Sequence, residues 1–271
     1  MPWGRMSRAE RDAAYDNTTS VADSAILAAA RDVASAAFRA AHPSHLDVRY
    51  GPRERNTWDL FPASDPDAPC IVFIHGGYWQ RNSKDQFAQL IAGPVAHGWA
   101  AALPGYTLAP DASLTGIVAE IGAALDWLAA HGPARGINGP IVLSGWSAGG
   151  HLAAMCLGHP LVRAGLAISG LFELGPIRDT GLNVRLRLTD QEIATLSPLR
   201  LPVIRKPLVI AYGTAELPSL VSDSREFHAA RAAAHGPGAL VPVPRANHFT
   251  ITHELSDGGG LLTRQLRMLM N

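Results

Sequence analysis

One serine stands among small residues in GWSAGGHLAA, residues 145–154, between an apolar run and a helix-forming run. The spacing Gly145-x-Ser147-x-Gly149 suits a serine on a sharp turn from strand to helix. In such a turn the residues two before and two after the serine crowd together, and glycine removes the Cβ atoms that would collide. The hydroxyl is then raised for attack. The helix that follows aims its free N–H groups at the same point, which makes Ala148 N–H a candidate oxyanion donor. A serine hydroxyl is a weak nucleophile at its own pKa. It needs a base within hydrogen-bond reach, and the base needs a carboxylate to orient it.

A second cluster lies upstream. IVFIHGGYW, residues 71–79, places His-Gly-Gly directly after an apolar run. Glycines there let backbone N–H groups, rather than side chains, face a developing oxyanion. Gly77 and Tyr78 are the candidate donors, and Gly76 helps the turn. His75 reads as a group that holds the loop by hydrogen bonds rather than as a catalyst. Tyr78 and Trp79 are expected to line a substrate pocket, together with Tyr106, Trp146 and Phe249.

The scaffold that must position these residues is legible in the alternation of elements. Strands are expected over 46–50, 57–63, 70–74, 99–104, 140–145, 163–170, 206–213 and 239–244. Helices are expected over 84–98, 113–132, 148–158, 222–236 and 257–270. An N-terminal helical segment covers about 7–41, broken near Asn17–Ser20 and ended by His42 and Pro43. Alternating units of this kind give an α/β fold: a mostly parallel central sheet with helices on both faces. The stretch 171–205 breaks the rhythm and reads as a small lid insertion rather than a separate domain, so residues 1–271 form a single domain.

A strand–turn–helix G-x-S-x-G and an HGG loop are the α/β-hydrolase pattern, in which the triad follows the chain order serine, acid, histidine. Four histidines follow Gly213: His228, His235, His248 and His253. The first two fall in a helix. His248 sits in a loop just after the last strand and is taken as the base, with His253 as the alternative. Glu216 is the first carboxylate beyond the strand PLVIAYG and is taken as the acid; its competitor, Asp223, reads as a helix cap.

HGGYW, GWSAGGHLAA, the stretch DTGLN…LSPLRLP, YGTAEL and NHFTI together resemble the arylformamidase (kynurenine formamidase) branch of the α/β-hydrolases, over residues 45–252. The resemblance implies a metal-free serine hydrolase that converts N-formyl-L-kynurenine to kynurenine and formate, with no cofactor. It places the nucleophile on Ser147, the base on His248 and the acid on Glu216. One departure is that the family's acid is commonly aspartate. The alternative enzyme is a carboxylesterase or another amidase for small acyl or aryl substrates; the alternative outside enzymes is a non-catalytic binding protein on the same fold.

Bulk properties agree with a small-molecule site. Hydrophobic residues make up 47% and charged residues 17%, enough for a sizeable core. Lys plus Arg equals Asp plus Glu at 23 each, which leaves no global field for nucleic acid or an acidic membrane. With two cysteines, Cys70 and Cys156, neither a disulfide framework nor a zinc site is expected. No signal peptide or spanning segment is visible, so a cytoplasmic protein is expected, with a homo-oligomer left open.

Overall fold

Runs that are apolar at every position form strands covered on both faces. In Cys70–Ile74, Ile71 and Phe73 enter one hydrophobic cluster, while Cys70, Val72 and Ile74 enter the other. The same two-residue alternation divides Ile141–Trp146, with Ile141 and Leu143 on one face and Val142 on the opposite one.

The computed structural model describes residues 3–42 and 45–270. Its strands are β1 (His45–Arg49), β2 (Thr57–Phe61), β3 (Cys70–Ile74), β4 (Ala100–Pro104), β5 (Ile141–Trp146), β6 (Val162–Ile168), β7 (Leu208–Gly213) and β8 (Leu240–Val243). They form one eight-stranded sheet in the order β1-β2-β4-β3-β5-β6-β7-β8. The β1–β2 and β2–β4 pairings are antiparallel, and all others are parallel. This is the mostly parallel sheet that the alternation of elements predicts.

Helices α1 (Arg8–Ala13), α2 (Asn17–Ser20) and α3 (Ser24–Ala41) open the chain. The N-terminal segment is thus three pieces; α2 is short because Asp16 caps it and Val21 turns extended. His42 ends α3, and Pro43 lies outside the described residues. The 84–98 stretch is not one helix. Lys84–Ile91 is a 3-10 turn, and α4 (Ala92–Ala96) starts afresh after it. Pro94 is tolerated because the first turn of a helix needs no N–H donor there.

Next come α5 (Leu114–His131) and α6 (Ala148–Met155). Within 171–205 lie the short helices α7 (Gly175–Arg178), α8 (Asn183–Leu186) and α9 (Asp190–Leu196). Then α10 spans Pro218–Ala233, four residues ahead of expectation, because Pro218 presets the first helical φ. The closing stretch divides into α11 (His253–Ser256) and α12 (Leu261–Met268), separated by Asp257–Gly260. Leu152 of α6 and Phe227 of α10 pack on one sheet face; Leu255, Leu262 and Leu266 of the last two helices pack on the other. No helix among the described residues is long and apolar enough to cross a membrane.

Candidate active site

Strands β3, β5, β6, β7 and β8 lie side by side and parallel, so their carboxyl ends open on one edge of the sheet. That edge is where α/β sheets place their ligands. The loop after β3 carries Gly76–Tyr78, the end of β5 carries Ser147, and the turn after β6 carries Ser169. The turn after β7 carries Glu216, and the loop after β8 carries His248.

Ser147 has φ 58° and ψ −121°, a left-handed conformation that costs a non-glycine residue roughly 1–3 kcal/mol. The neighbouring glycines make it attainable. A Cβ on Gly145 would lie 2.2 Å from the Gly149 carbonyl oxygen, and one on Gly149 would lie 2.0 Å from that of Ile74. A Cβ on Gly76 would come within 3.0 Å of Ser147 Cβ, so the loop after β3 can close on the serine only as glycine. Ser147 N–H donates to Ile168 O at 2.8 Å, which fixes the turn against β6.

Glu216 is held on three sides. Its Oε1 accepts from Gly213 N–H and from Ser169 Oγ, both at 2.6 Å. Its Oε2 takes His248 Nδ1 at 2.9 Å. Both side chains of this pair are buried, at 0% and 4% exposure, so solvent does not compete for the bond. A carboxylate can only accept, so it keeps the proton on Nδ1 and leaves Nε2 as the acceptor. Trp146 Nε1 donates to the His248 carbonyl at 2.8 Å and steadies the loop that carries the ring. The Glu216 side chain folds back over the turn it stands on, where Gly213 N–H donates to Oε1.

Ser147 and His248 line one cavity of about 190 Å³, with Gly77, Tyr78, Trp146 and Phe249. No hydrogen bond joins the Ser147 hydroxyl to the His248 ring among the described residues. The backbone N–H groups of Gly77, Tyr78 and Ala148 likewise have no partner among the described residues. Gly77 stands at φ 121°, where a Cβ would meet the Arg81 carbonyl at 2.4 Å. The loop is therefore built with its donors unspent.

Two expected pocket residues are elsewhere. Trp79 is fully buried, edge-on to His151 at 4.9 Å between centroids, because the positive φ at Tyr78 and Trp79 turns the indole into the core. Tyr106 is also fully buried. Its ring stacks on His75 at 4.3 Å and its hydroxyl donates to the His75 carbonyl at 2.9 Å, so it props the loop from beneath. His75 is a loop support as well: Nδ1–H donates to Gly76 O at 2.9 Å, and burial pushes its pKa down to about 3. Asp223 lies inside α10, not at its cap; its Oδ2 accepts from Phe172 N–H at 2.6 Å, away from the His248 ring. His253 starts α11 and is exposed.

Ser169 was not among the sequence candidates. Its signal was available: it ends β6 as Ser147 ends β5. Asn17, Ala28 and Arg31 also line the cavity, and none of the residues lining it comes from 171–205. No local pattern announces these, since α2 and α3 reach the site only through the fold. Three carboxylates elsewhere, Asp47, Asp59 and Asp85, converge closely enough to hold a cation. Lys84 Nζ already bridges them at 2.6, 2.7 and 2.8 Å, and Arg39 Nε binds Asp59 at 2.8 Å. The cluster is an ion-pair tie between β2, α3 and the 84–91 turn.

Comparison with known proteins bears on the fold and the kind of protein. The family model BD-FAE matches residues 60–159. The chain is 28% identical to a kynurenine formamidase of Danio rerio, across 97% of both chains. It is 29% identical to one of Salmo salar, across 83% of this chain and 81% of that one. The chain has the α/β-hydrolase fold and is similar to arylformamidases. A solved structure from Silicibacter sp. TM1040, a suggested thioesterase, superposes on this chain with a TM-score of 0.84 and 28% identity, covering 95% of this chain and 99% of that one. Esterase B of Lactobacillus rhamnosis shares its fold, with a TM-score of 0.73 and 20% identity over 97% and 96% of the two chains.

Proposed function

We propose that this chain is a serine hydrolase that removes the formyl group of N-formyl-L-kynurenine, using Ser147, His248 and Glu216. The observation that carries the reading is the buried Glu216–His248 pair opening on the same cavity as a serine held at φ 58°. In this mechanism Ser147 Oγ attacks the formyl carbon while His248 Nε2 takes its proton. The N–H groups of Gly77, Tyr78 and Ala148 receive the oxyanion, each contributing a few kcal/mol to the transition state. His248 then gives its proton to the departing aryl amine. Water, deprotonated by the same nitrogen, attacks the formyl-serine ester; His248 returns the proton to the departing Ser147 Oγ, and formate is released. Apart from that water, each proton and each oxyanion in these steps is handled by groups of the protein. The family's usual aspartate is replaced by Glu216, which meets both neighbours by folding back over Gly213.

Ester or thioester cleavage is the second reading, favoured by the 28% identity to the suggested thioesterase along 95% of this chain. The test measures kcat/KM on N-formyl-L-kynurenine beside a short-chain p-nitrophenyl ester, with Ser147→Ala as control. Formamide turnover that vanishes in the variant supports the proposal. Ester turnover alone, also lost in the variant, removes the formamide substrate and keeps the serine. Activity that survives the substitution removes the serine.

A further inference from the structure

The wall facing Ser147 is not supplied by the sheet. It comes from α2 and α3, and from the end of the loop after β3. A second cavity of about 230 Å³ shares Ala28, Arg31, Trp146 and Phe249 with the first, so the two adjoin along α3. No carboxylate lines either of them among the described residues, whereas two guanidinium groups do.

The two arginines differ. Arg31 binds Asp32 Oδ1 through Nη2 at 2.7 Å and lies over the Phe87 ring at 4.1 Å, so its charge is largely offset. Arg81 is exposed, and it makes no ion pair within 4.0 Å among the described residues. Its neighbours are the Tyr78 ring, 6.0 Å away, and the more distant charge of Asp16. A cation without an ion-pair partner at the rim of a cavity without acids is suited to an anionic group of the ligand.

Asn17 adds a second element. The Tyr78 hydroxyl donates its one proton to Tyr15 O at 2.6 Å, so toward Asn17 it can only accept, at 3.0 Å. That assigns the Asn17 amide nitrogen to Tyr78 and leaves Oδ1 for something else. Asn17 is 4% exposed and lines the cavity, yet Oδ1 has no partner among the described residues. An unspent buried acceptor beside an unspent cation matches a ligand that carries an ammonium next to a carboxylate.

We propose that this wall is an amino-acid subsite, in which Arg81, assisted by Arg31, holds the substrate's α-carboxylate and Asn17 Oδ1 accepts from its α-ammonium. The assignment rests on the formamidase reading and adds which residues select the substrate. Because the arginine contact persists from ground state to transition state, its loss acts through KM rather than kcat.

The experiment compares kcat/KM on N-formyl-L-kynurenine with that on the matching formanilide lacking the amino-acid moiety. The wild type should favour the former by about tenfold or more, the value of one charge-assisted contact. Arg81→Gln should bring the ratio toward one through KM, and Arg81→Lys should restore most of it. Added salt should shrink the wild-type ratio, as expected for an exposed charge. No wild-type preference, or a ratio untouched by Arg81→Gln, would overturn the assignment. Should neither formanilide be cleaved, the formamidase reading fails. Calorimetry of L-kynurenine and of its decarboxylated amine on Ser147→Ala then decides the subsite: carboxylate-dependent binding supports it, and equal or absent binding overturns it.

Discussion

Replacing Glu216 by glutamine removes almost no volume and should nevertheless abolish most turnover. The wild-type carboxylate serves three donors: Gly213 N–H and Ser169 Oγ on Oε1, and His248 Nδ1 on Oε2. A glutamine has one accepting oxygen and one donating nitrogen. Ser169 can rotate its hydroxyl to suit either, but the Gly213 N–H, 2.6 Å away, cannot turn. The amide oxygen must therefore face Gly213, and the NH₂ must face His248. Nδ1 then becomes an acceptor, the imidazole proton moves to Nε2, and the nitrogen that should take the serine proton is blocked. A wrong tautomer in such a relay costs about 10⁴ in kcat. At about 1.36 kcal/mol per tenfold, that is about 5 kcal/mol of transition-state stabilisation. KM should change little, since no substrate contact is lost, and circular dichroism should show an unaltered fold. The assay is steady-state kinetics on whichever probe the wild type cleaves. A Glu216→Gln enzyme whose kcat stays within about tenfold of wild type would refute the tautomer argument and the role of Glu216 with it.

Ser169→Ala removes one of the three bonds on the same carboxylate; kcat should fall about tenfold with KM constant, read by the same kinetics, in line with roughly 1.5–3 kcal/mol for a hydrogen bond to a charged group. Gly149→Ala drives a Cβ to 2.0 Å from the Ile74 carbonyl, and should destabilise the fold by about 3 kcal/mol or more, seen as a lowered Tm. Asp223 is raised by burial from 3.8 to about 7 in the folded protein. Between those values the unfolded chain gives up a proton that the folded one keeps. Stability therefore falls as pH rises through that window, by at most about 1.4 kcal/mol per pH unit. Asp223→Asn should flatten this slope in urea melts taken from pH 4 to 8, while leaving kcat unchanged.

The groups gathered at the sheet edge were legible because each sits where a local rule operates. Gly145 and Gly149 betray Ser147 by their spacing, and an unbroken apolar run betrays each buried strand. Glu216 and His248 were reachable because a parallel sheet sends the loops after neighbouring strands to one edge. Trp79 and Tyr106 were misplaced for a physical reason. Position at a strand's carboxyl end does not say whether a side chain points up or down, and two successive positive φ values reverse the answer at Trp79. Asp223 was misread as a cap because a helix start was sought at a serine–aspartate pair, whereas Pro218 begins α10 earlier. The contribution of α2 and α3 was invisible: nothing in residues 17–31 encodes a meeting with Ser147 that only the folded sheet and the 84–91 segment create.

The cavity is thus made of two materials with different tolerance for change. On one side, backbone carbonyls lie so close to Gly76, Gly145 and Gly149 that no further atom can be added. On the other, Ala25 and Ala28 of α3 face the space with single methyl groups, and enlarging them would break none of the bonds to Glu216 or His248. Descendants of this gene can therefore acquire a different choice of molecule through one helix, one codon at a time, while inheriting the bond-breaking side intact.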